Sequence, residues 1–305
     1  MNFKSDMAIV IPAYKSEFFE ETWESIINQT DRDFHVYVGN DAGDKIIEDI
    51  LYSRNSSSQI TYRYFDRNLG HESLTSHWNR CFDMVRNEKW IWLFSDDDLM
   101  DARCIENFRK SQSSNPDIRL FRWNTVKFVQ DTPLKVNYMP EKFSLPDFLQ
   151  MKFNYAIETY AVEFIMNRAL LGQAGRFPCF PLGWCSDDLF WIRLLTHSDA
   201  ITIPESPVFW RFSNHNISGK LNTSITAYQK LDACCLFLAE LIEMKLFEKY
   251  DGAEQSFMRW ISGQYGHLKK FLSVKTRVDY LSRISNMLPS SAKSLFTDIF
   301  QSPEF

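Results

Sequence analysis

Three times before residue 90 this chain repeats one pattern: a short apolar run, a polar turn, then a stretch with helical spacing. The first repeat is Met7–Ile11, ended by Pro12, then Phe18–Asn28 with Phe18, Phe19, Thr22, Trp23, Ile26 and Ile27 on one stripe. The second is Phe34–Val38, the turn Gly39-Asn40-Asp41-Ala42-Gly43-Asp44, and a helix over Asp44–Tyr52 with Asp44 as N-cap. The third is Ile60–Phe65, the turn Asn68-Leu69-Gly70, and a helix over Ser73–Val85. Strand and helix alternating in this way predict a parallel sheet with right-handed crossovers. The turns after the strands then share one edge of that sheet. In open α/β sheets that edge is where ligands bind.

The next run sharpens this. Trp90–Phe94 is uncharged and bulky, as a strand buried on both faces should be, and it stops at Ser95 and three carboxylates, Asp96, Asp97 and Asp98. Two unit charges ~4 Å apart cost about 1 kcal/mol in water and about 4 kcal/mol near a protein surface. A hard divalent cation, Mg²⁺ or Mn²⁺, offsets that cost and is usually shared with a phosphate. The competing reading is a solvated acidic turn that caps the next helix through Asp98 or Asp101.

The remaining pattern is less regular. Ile118–Trp123 and Val126–Val129 read as strands, Thr132–Ser144 as a loop with two prolines, and Ile157–Phe164 as a strand. Arg176–Cys185 is a broken aromatic loop, and Ser186–Thr196 is a helix with Asp187 and Asp188 in its first turn, where a helix dipole favours acids. Ile201–Ile203 and Val208–Phe212 are short strands, and the chain is helical from about Thr223. Residues 1–222 are thus expected to form one α/β domain and 223–305 a helical C-terminal region. The 305 residues carry a net charge of −5, which argues against a general nucleic-acid binder. The six cysteines have no zinc-ligand spacing and read as free thiols of a reducing compartment. No apolar run approaches the ~20 residues of a membrane span. The N-terminus has too short an apolar run for a signal peptide. A cytoplasmic protein is expected, with the basic C-terminal helices read either as a solvated face or as a contact to a partner or the inner face of the membrane.

Four local patterns together resemble the inverting glycosyltransferases of family 2. Ile9-Val10-Ile11-Pro12-Ala13-Tyr14-Lys15 resembles the family's first strand and loop, VIPAYN, with Lys15 where Asn is usual. Asn40-Asp41 followed by Ala-Gly-Asp is similar to the DDGSxD turn, with Asn40 in place of an acid. Phe94-Ser95-Asp96-Asp97-Asp98 falls where the family has its DxD or DSDD metal motif. Ser186-Asp187-Asp188 through Arg193 is similar to the helix that supplies a catalytic base; spacing to Arg193 favours Asp187 and the paired-acid order favours Asp188.

The resemblance covers about residues 7–218 and implies an A-type nucleotide-sugar transferase fold, a Rossmann-like mostly parallel sheet. It implies a nucleotide-diphosphate sugar donor, most often UDP-linked, and a hydroxyl acceptor on a surface glycan or lipid-linked sugar. Pro12, Ala13, Tyr14 and Glu17 would line the nucleoside, and Asp41 would accept from the uracil N–H. Asp96 would hold the ribose or support the metal shell. Asp97 and Asp98 are the candidate ligands of Mn²⁺ or Mg²⁺, and His215 would complete that shell. Arg211 would clamp the diphosphate, and Asp187 or Asp188 would take the acceptor's proton. Trp184 is a candidate for stacking on an acceptor sugar, and His71 and Trp78 for lining the donor pocket. The alternatives are a nucleotidyltransferase and a catalytically inactive sugar- or nucleotide-binding module.

Overall fold

The three repeats fold as their pattern predicts. β1 (Met7–Ala13), α1 (Phe19–Ile27), β2 (His35–Asn40), α2 (Ile46–Tyr52), β3 (Ile60–Tyr64) and α3 (Leu74–Phe82) alternate, and the strands pair in parallel in the order β3-β2-β1. β4 (Trp90–Leu93) lies parallel to β1 on its other side. This is a computed structural model, and it describes residues 5–53, 59–214, 216–288, 293, 296 and 300.

After β5 (Leu99–Met100) and α4 (Cys104–Ser114) the topology changes. β6 (Leu120–Val129) is one continuous strand where the sequence suggests two. β7 (Thr132–Asn137) is a strand where the prolines suggest a loop; it pairs only with β6, and an outer strand tolerates Pro133 because one side needs no donor. β8 (Lys142–Phe143) and α5 (Leu145–Phe153) follow. Ile157–Phe164 is not the strand expected there: a 3-10 turn occupies Ala161–Glu163, and β9 begins only at Phe164, running to Asn167. α6 (Arg168–Ala174), α7 (Ser186–Leu195), β10 (Ala200–Arg211), α8 (Ser224–Glu243), α9 (Leu246–Lys249), α10 (Ala253–Leu268) and α11 (Val274–Met287) complete the described chain.

The main sheet runs β3-β2-β1-β4-β9-β6-β10-β5. β9 is antiparallel to both β4 and β6, and β10 is parallel to β6, so β1–β4, β6 and β10 all point the same way. The class is α/β with a Rossmann-like, mostly parallel sheet and helices at the C-terminus, as expected. Alternation sorts the side chains. Trp90, Trp92 and Phe94 enter the core under α1 and α4; Ile91 and Leu93 enter the core shared with α7 and α8. Trp92 stacks on Trp123 at 4.0 Å, and its ring N–H donates to the Val162 carbonyl at 2.8 Å. That bond ties the segment before β9 to the strand that carries the acids. The C-terminal helices are not separate from this core: Phe257 of α10 packs edge-on to Phe153 of α5. Among the described residues no helix is long and apolar enough to cross a membrane.

Candidate active site

The turns after β1, β2 and β4 meet and bond to one another. The Asp41 N–H donates to the Ala13 carbonyl at 2.8 Å and the Asp44 N–H to that of Tyr14 at 3.2 Å. Gly43 permits this approach, since a Cβ there would lie 2.0 Å from the Tyr14 carbonyl oxygen. Asp96 closes the third side, accepting from the backbone N–H groups of Tyr14 at 2.8 Å and Lys15 at 3.0 Å. Pro12 and Ala13 are buried in the end of β1, whereas Tyr14 and Glu17 are exposed on the loop above it.

The acidic triplet divides into three environments. Asp98 is buried and both its oxygens are engaged: Oδ2 accepts from the Ser95 hydroxyl at 2.7 Å and Oδ1 from the Arg211 N–H at 2.7 Å. Asp96 is held by the backbone of the β1 loop. Asp97 accepts a bond from the Asn216 amide at 3.1 Å, on Oδ2. Burial and then the neighbouring Asp96 push its carboxyl up to about 6. Burial, then Asp97, raises Asp98 as well. The charge of Lys15 pulls Asp96 and Asp97 the other way, and burial outweighs it.

Arg211 does not present its guanidinium as a free phosphate clamp. Its Nε donates to the Asp97 carbonyl at 2.8 Å and its NH2 group to Glu21 at 2.6 Å, with Phe18 and Phe128 against the guanidinium. It is a strut that fixes the end of β10 to the acidic turn. Asp41 is likewise engaged. It accepts from the backbone N–H groups of Leu69 at 2.7 Å and Gly70 at 2.6 Å, and from Arg80. Burial still pushes its carboxyl up against those three donors. Buried His77 accepts from Arg80 Nε on Nδ1 at 2.9 Å, and burial followed by Arg80 lowers it to about 3, so it is neutral and its proximity to Asp41 is no ion pair. With three donors already on it, Asp41 shapes the Leu69–Gly70 loop more than it offers an open acceptor.

The second acidic pair sits at the start of α7. The turn before it is held in left-handed backbone at two non-glycine residues, Leu182 (φ 59°) and Cys185 (φ 61°). Such conformations cost about 1–3 kcal/mol each and persist where surrounding structure imposes them. Asp188 is buried and paired with Lys152 at 2.8 Å, and it also accepts from the Thr159 hydroxyl. Asp187 accepts only the adjacent Asp188 N–H, at 3.0 Å, among the bonds described. Burial and then Asp188 push its carboxyl up to about 7. A carboxylate poised there is suited to accept a proton at neutral pH. Thr159 lies just before the turn that Trp92 anchors, and β9 runs antiparallel to β4, so both acidic groups belong to the same edge of the sheet.

Of the other candidates, His215 lies outside the described residues. One face of Trp184 carries the Lys230 ammonium, 4.5 Å from the ring centre. Trp78 packs edge-on to Phe177 at 5.2 Å and belongs to the core, while His71 is exposed. The sequence reading missed Arg80, Lys152, Thr159 and Asn216. Asn216 follows His215 in the polar stretch after β10. Lys152 and Arg80 stand on helices far along the chain from their partners, and no local pattern marks them.

A doubly wound sheet whose strand ends gather one buried acid cluster and one poised carboxylate has the build of a sugar-transfer enzyme. The profile of glycosyl transferase family 2 matches residues 8–163, and the chain belongs to that family. The match spans β1 to the turn before β9, so it includes Asp96–Asp98 and stops short of Asp187. No curated protein matches the sequence. Among solved structures, S. aureus TarS residues 1–349 with UDP-GlcNAc superposes with a TM-score of 0.74 at 13% identity, covering 95% of this chain and 83% of that one. A mannosyltransferase from Pyrobaculum calidifontis, PcManGT with GDP-Man and Mn²⁺, gives a TM-score of 0.53 at 12% identity, covering 97% and 84%. At such identities the likeness carries the fold alone.

Proposed function

We propose that this glycosyltransferase moves a sugar from a UDP-linked donor to a hydroxyl of a glycan or lipid-linked acceptor, with inversion at the anomeric carbon. The single observation that carries this reading is the contrast within the second acidic pair. Asp188 is paired directly with Lys152 at 2.8 Å, while Asp187 beside it feels that ammonium only at longer range, and burial and Asp188 outweigh it and push the Asp187 carboxyl up to about 7. The UDP-GlcNAc bound to TarS supports the choice of donor class.

The strand-end turns hold the nucleotide, with the backbone of Tyr14 and Lys15 fixed by Asp96. Among the described residues no three His, Cys, Asp or Glu side chains converge on one point, and of these residues Asp97 and Asp96 are the ones to offer an ion. That set fits Mg²⁺ or Mn²⁺, which take one or two carboxylates and share the rest of their shell with phosphate. The raised carboxyl of Asp97 fits a group awaiting a cation. The Mn²⁺ in PcManGT supports the same choice. Bound there, the ion would neutralise charge on the departing nucleoside diphosphate. Asp187 accepts the proton of the acceptor hydroxyl as its oxygen attacks the anomeric carbon from the side opposite the diphosphate. A single displacement of this kind inverts the centre. Lys152 and Thr159 hold Asp188 in place, and the nearness of Asp188 helps to keep Asp187 basic. Exposed Val274 and Val278 beside Lys275 on α11 support peripheral membrane contact by a cytoplasmic enzyme.

The test is product release from UDP-GlcNAc and other UDP-sugars with Mn²⁺, followed by the configuration of the new linkage. UDP release that Asp187→Asn abolishes supports the reading. Pyrophosphate release would instead indicate nucleotidyl transfer, and donor binding without any release a binding module.

A further inference from the structure

α8 holds a cation where a cation is costly. Lys230 is 3% exposed. Its Nζ donates to the Asn222 side-chain oxygen at 2.8 Å and lies over the Trp184 ring. Among the described residues no carboxylate pairs with it. The other fully buried cations are treated differently: Arg122 meets Glu163 at 3.1 Å and Arg211 meets Glu21 at 2.6 Å. A neutral amide and an aromatic face orient an ammonium but do not cancel its charge, and a buried charge without a counter-ion is strongly unfavourable. Burial accordingly pushes the Lys230 ammonium down from its usual value.

Both partners of Lys230 belong to segments that carry reacting groups. Trp184 immediately precedes Cys185, the residue on which α7 and Asp187 start. Asn222 ends the loop that leaves β10, and Asn216 of that loop is bonded to Asp97. The lysine therefore stands between the loop that touches the first acidic cluster and the turn that presents the second. Other cations near these clusters already face acids: Arg211 meets Glu21, Arg80 meets Asp41, Lys152 meets Asp188, and the charge of Lys15 acts on Asp96 and Asp97.

We infer that Lys230 of the C-terminal helical region is a substrate phosphate-binding residue, its ammonium meeting a phosphate oxygen beside Trp184 across from Asn222. The inference rests on the nucleotide-sugar reading and extends it to a residue beyond the family match. Phosphate is the shared chemistry; it is supplied either by the donor diphosphate or by a phosphate on the acceptor. Lysine serves such groups as a point charge.

The experiment is equilibrium binding to the full chain with Mn²⁺, using UDP, uridine and glycerol phosphate, for wild type, Lys230→Gln and Lys230→Arg. If the donor supplies the phosphate, Lys230→Gln weakens UDP at least tenfold, leaves uridine within twofold, and Lys230→Arg restores most of the loss. If the acceptor supplies it, UDP is unchanged and glycerol phosphate binding to the UDP-loaded protein weakens at least tenfold in the Gln variant. Unchanged affinity for both phosphate ligands would overturn the inference. Should Lys230→Gln fail to fold, Asn222→Asp places a carboxylate on the ammonium and must weaken the same ligand; no change there is equally fatal. A wild-type chain that binds neither UDP nor uridine would sink the nucleotide-sugar reading instead. Inorganic phosphate then reports on Lys230 alone: weaker binding by the Gln variant supports the site, and equal binding removes it.

Discussion

Replacing Asp187 and Asp188 singly by Asn should move stability in opposite directions. The Asp187 carboxyl is pushed from 3.8 to about 7 by burial and by Asp188. One unit of such a shift is about 1.36 kcal/mol, so the ceiling on what its ionisation costs the fold is about 4 kcal/mol. Solvent on its partly exposed side and sharing of the charge with Asp188 bring the expected figure to about 2 kcal/mol. The sign follows from proton binding. Below about 3.8 the carboxyl is neutral folded and unfolded and costs nothing; from there to about 7 the unfolded chain gives up its proton first and the cost grows; above about 7 it is complete. Asp187→Asn removes that cost. At pH 8 its Tm should rise by about 4 °C, taking about 2 °C per kcal/mol for a chain of this length. The gain should vanish near pH 4. Asp188→Asn instead takes from Lys152 the carboxylate it is paired with at 2.8 Å and leaves it only the more distant charge of Asp187. Leaving a buried charge without its partner costs about 3–5 kcal/mol, so its Tm should fall by about 6–10 °C. Scanning calorimetry at pH 4 and pH 8 on the three proteins measures both. An Asp187→Asn protein no more stable than wild type at pH 8, or equally stabilised at both pH values, would refute the assignment of the poised carboxyl to Asp187.

Further outcomes follow from the same geometry. Sugar transfer followed as kcat/KM should rise about tenfold per pH unit below about 7 and flatten above it, because Asp187 must be ionised to accept a proton; a flat profile across pH 5–8 would remove that role. Asp97→Asn should retain the fold and lose at least about tenfold in Mn²⁺-dependent UDP affinity by calorimetric titration, since burial and Asp96 outweigh the Lys15 charge at Asp97 and leave its carboxylate to be met by the ion. Asp98→Ala should lower stability by about 1–3 kcal/mol in urea, because the Arg211 N–H and the Ser95 hydroxyl lose their acceptor. Glu163→Gln should cost about 3–5 kcal/mol in the same assay, since it leaves the fully buried Arg122 guanidinium without its counter-charge.

Much of the architecture was written into local pattern. The three repeats, the buried strand of Trp90–Leu93 and the placement of their turns on one edge could be read from apolar periodicity, because each depends only on neighbours a few residues apart. The later sheet could not. Pro133 argues against a strand until β7 is seen to be an outer one. The segment Ile157–Phe164 looks apolar enough to be a strand, yet Glu163 must reach Arg122 and Thr125, and that pairing across more than thirty residues holds it in a turn.

The candidate site divides along the same line. Sequence alone named both acid clusters, since consecutive carboxylates after a buried strand or at a helix start are conspicuous whatever surrounds them. Which acid does what was decided by tertiary contacts: Lys152 and Thr159 choose Asp188 for structure, Ser95 and Arg211 choose Asp98, and Asp187 and Asp97 are left poised. The reason is electrostatic. A residue's type gives it a charge, but its proton affinity is set by burial and by partners that the chain brings in from far along its length.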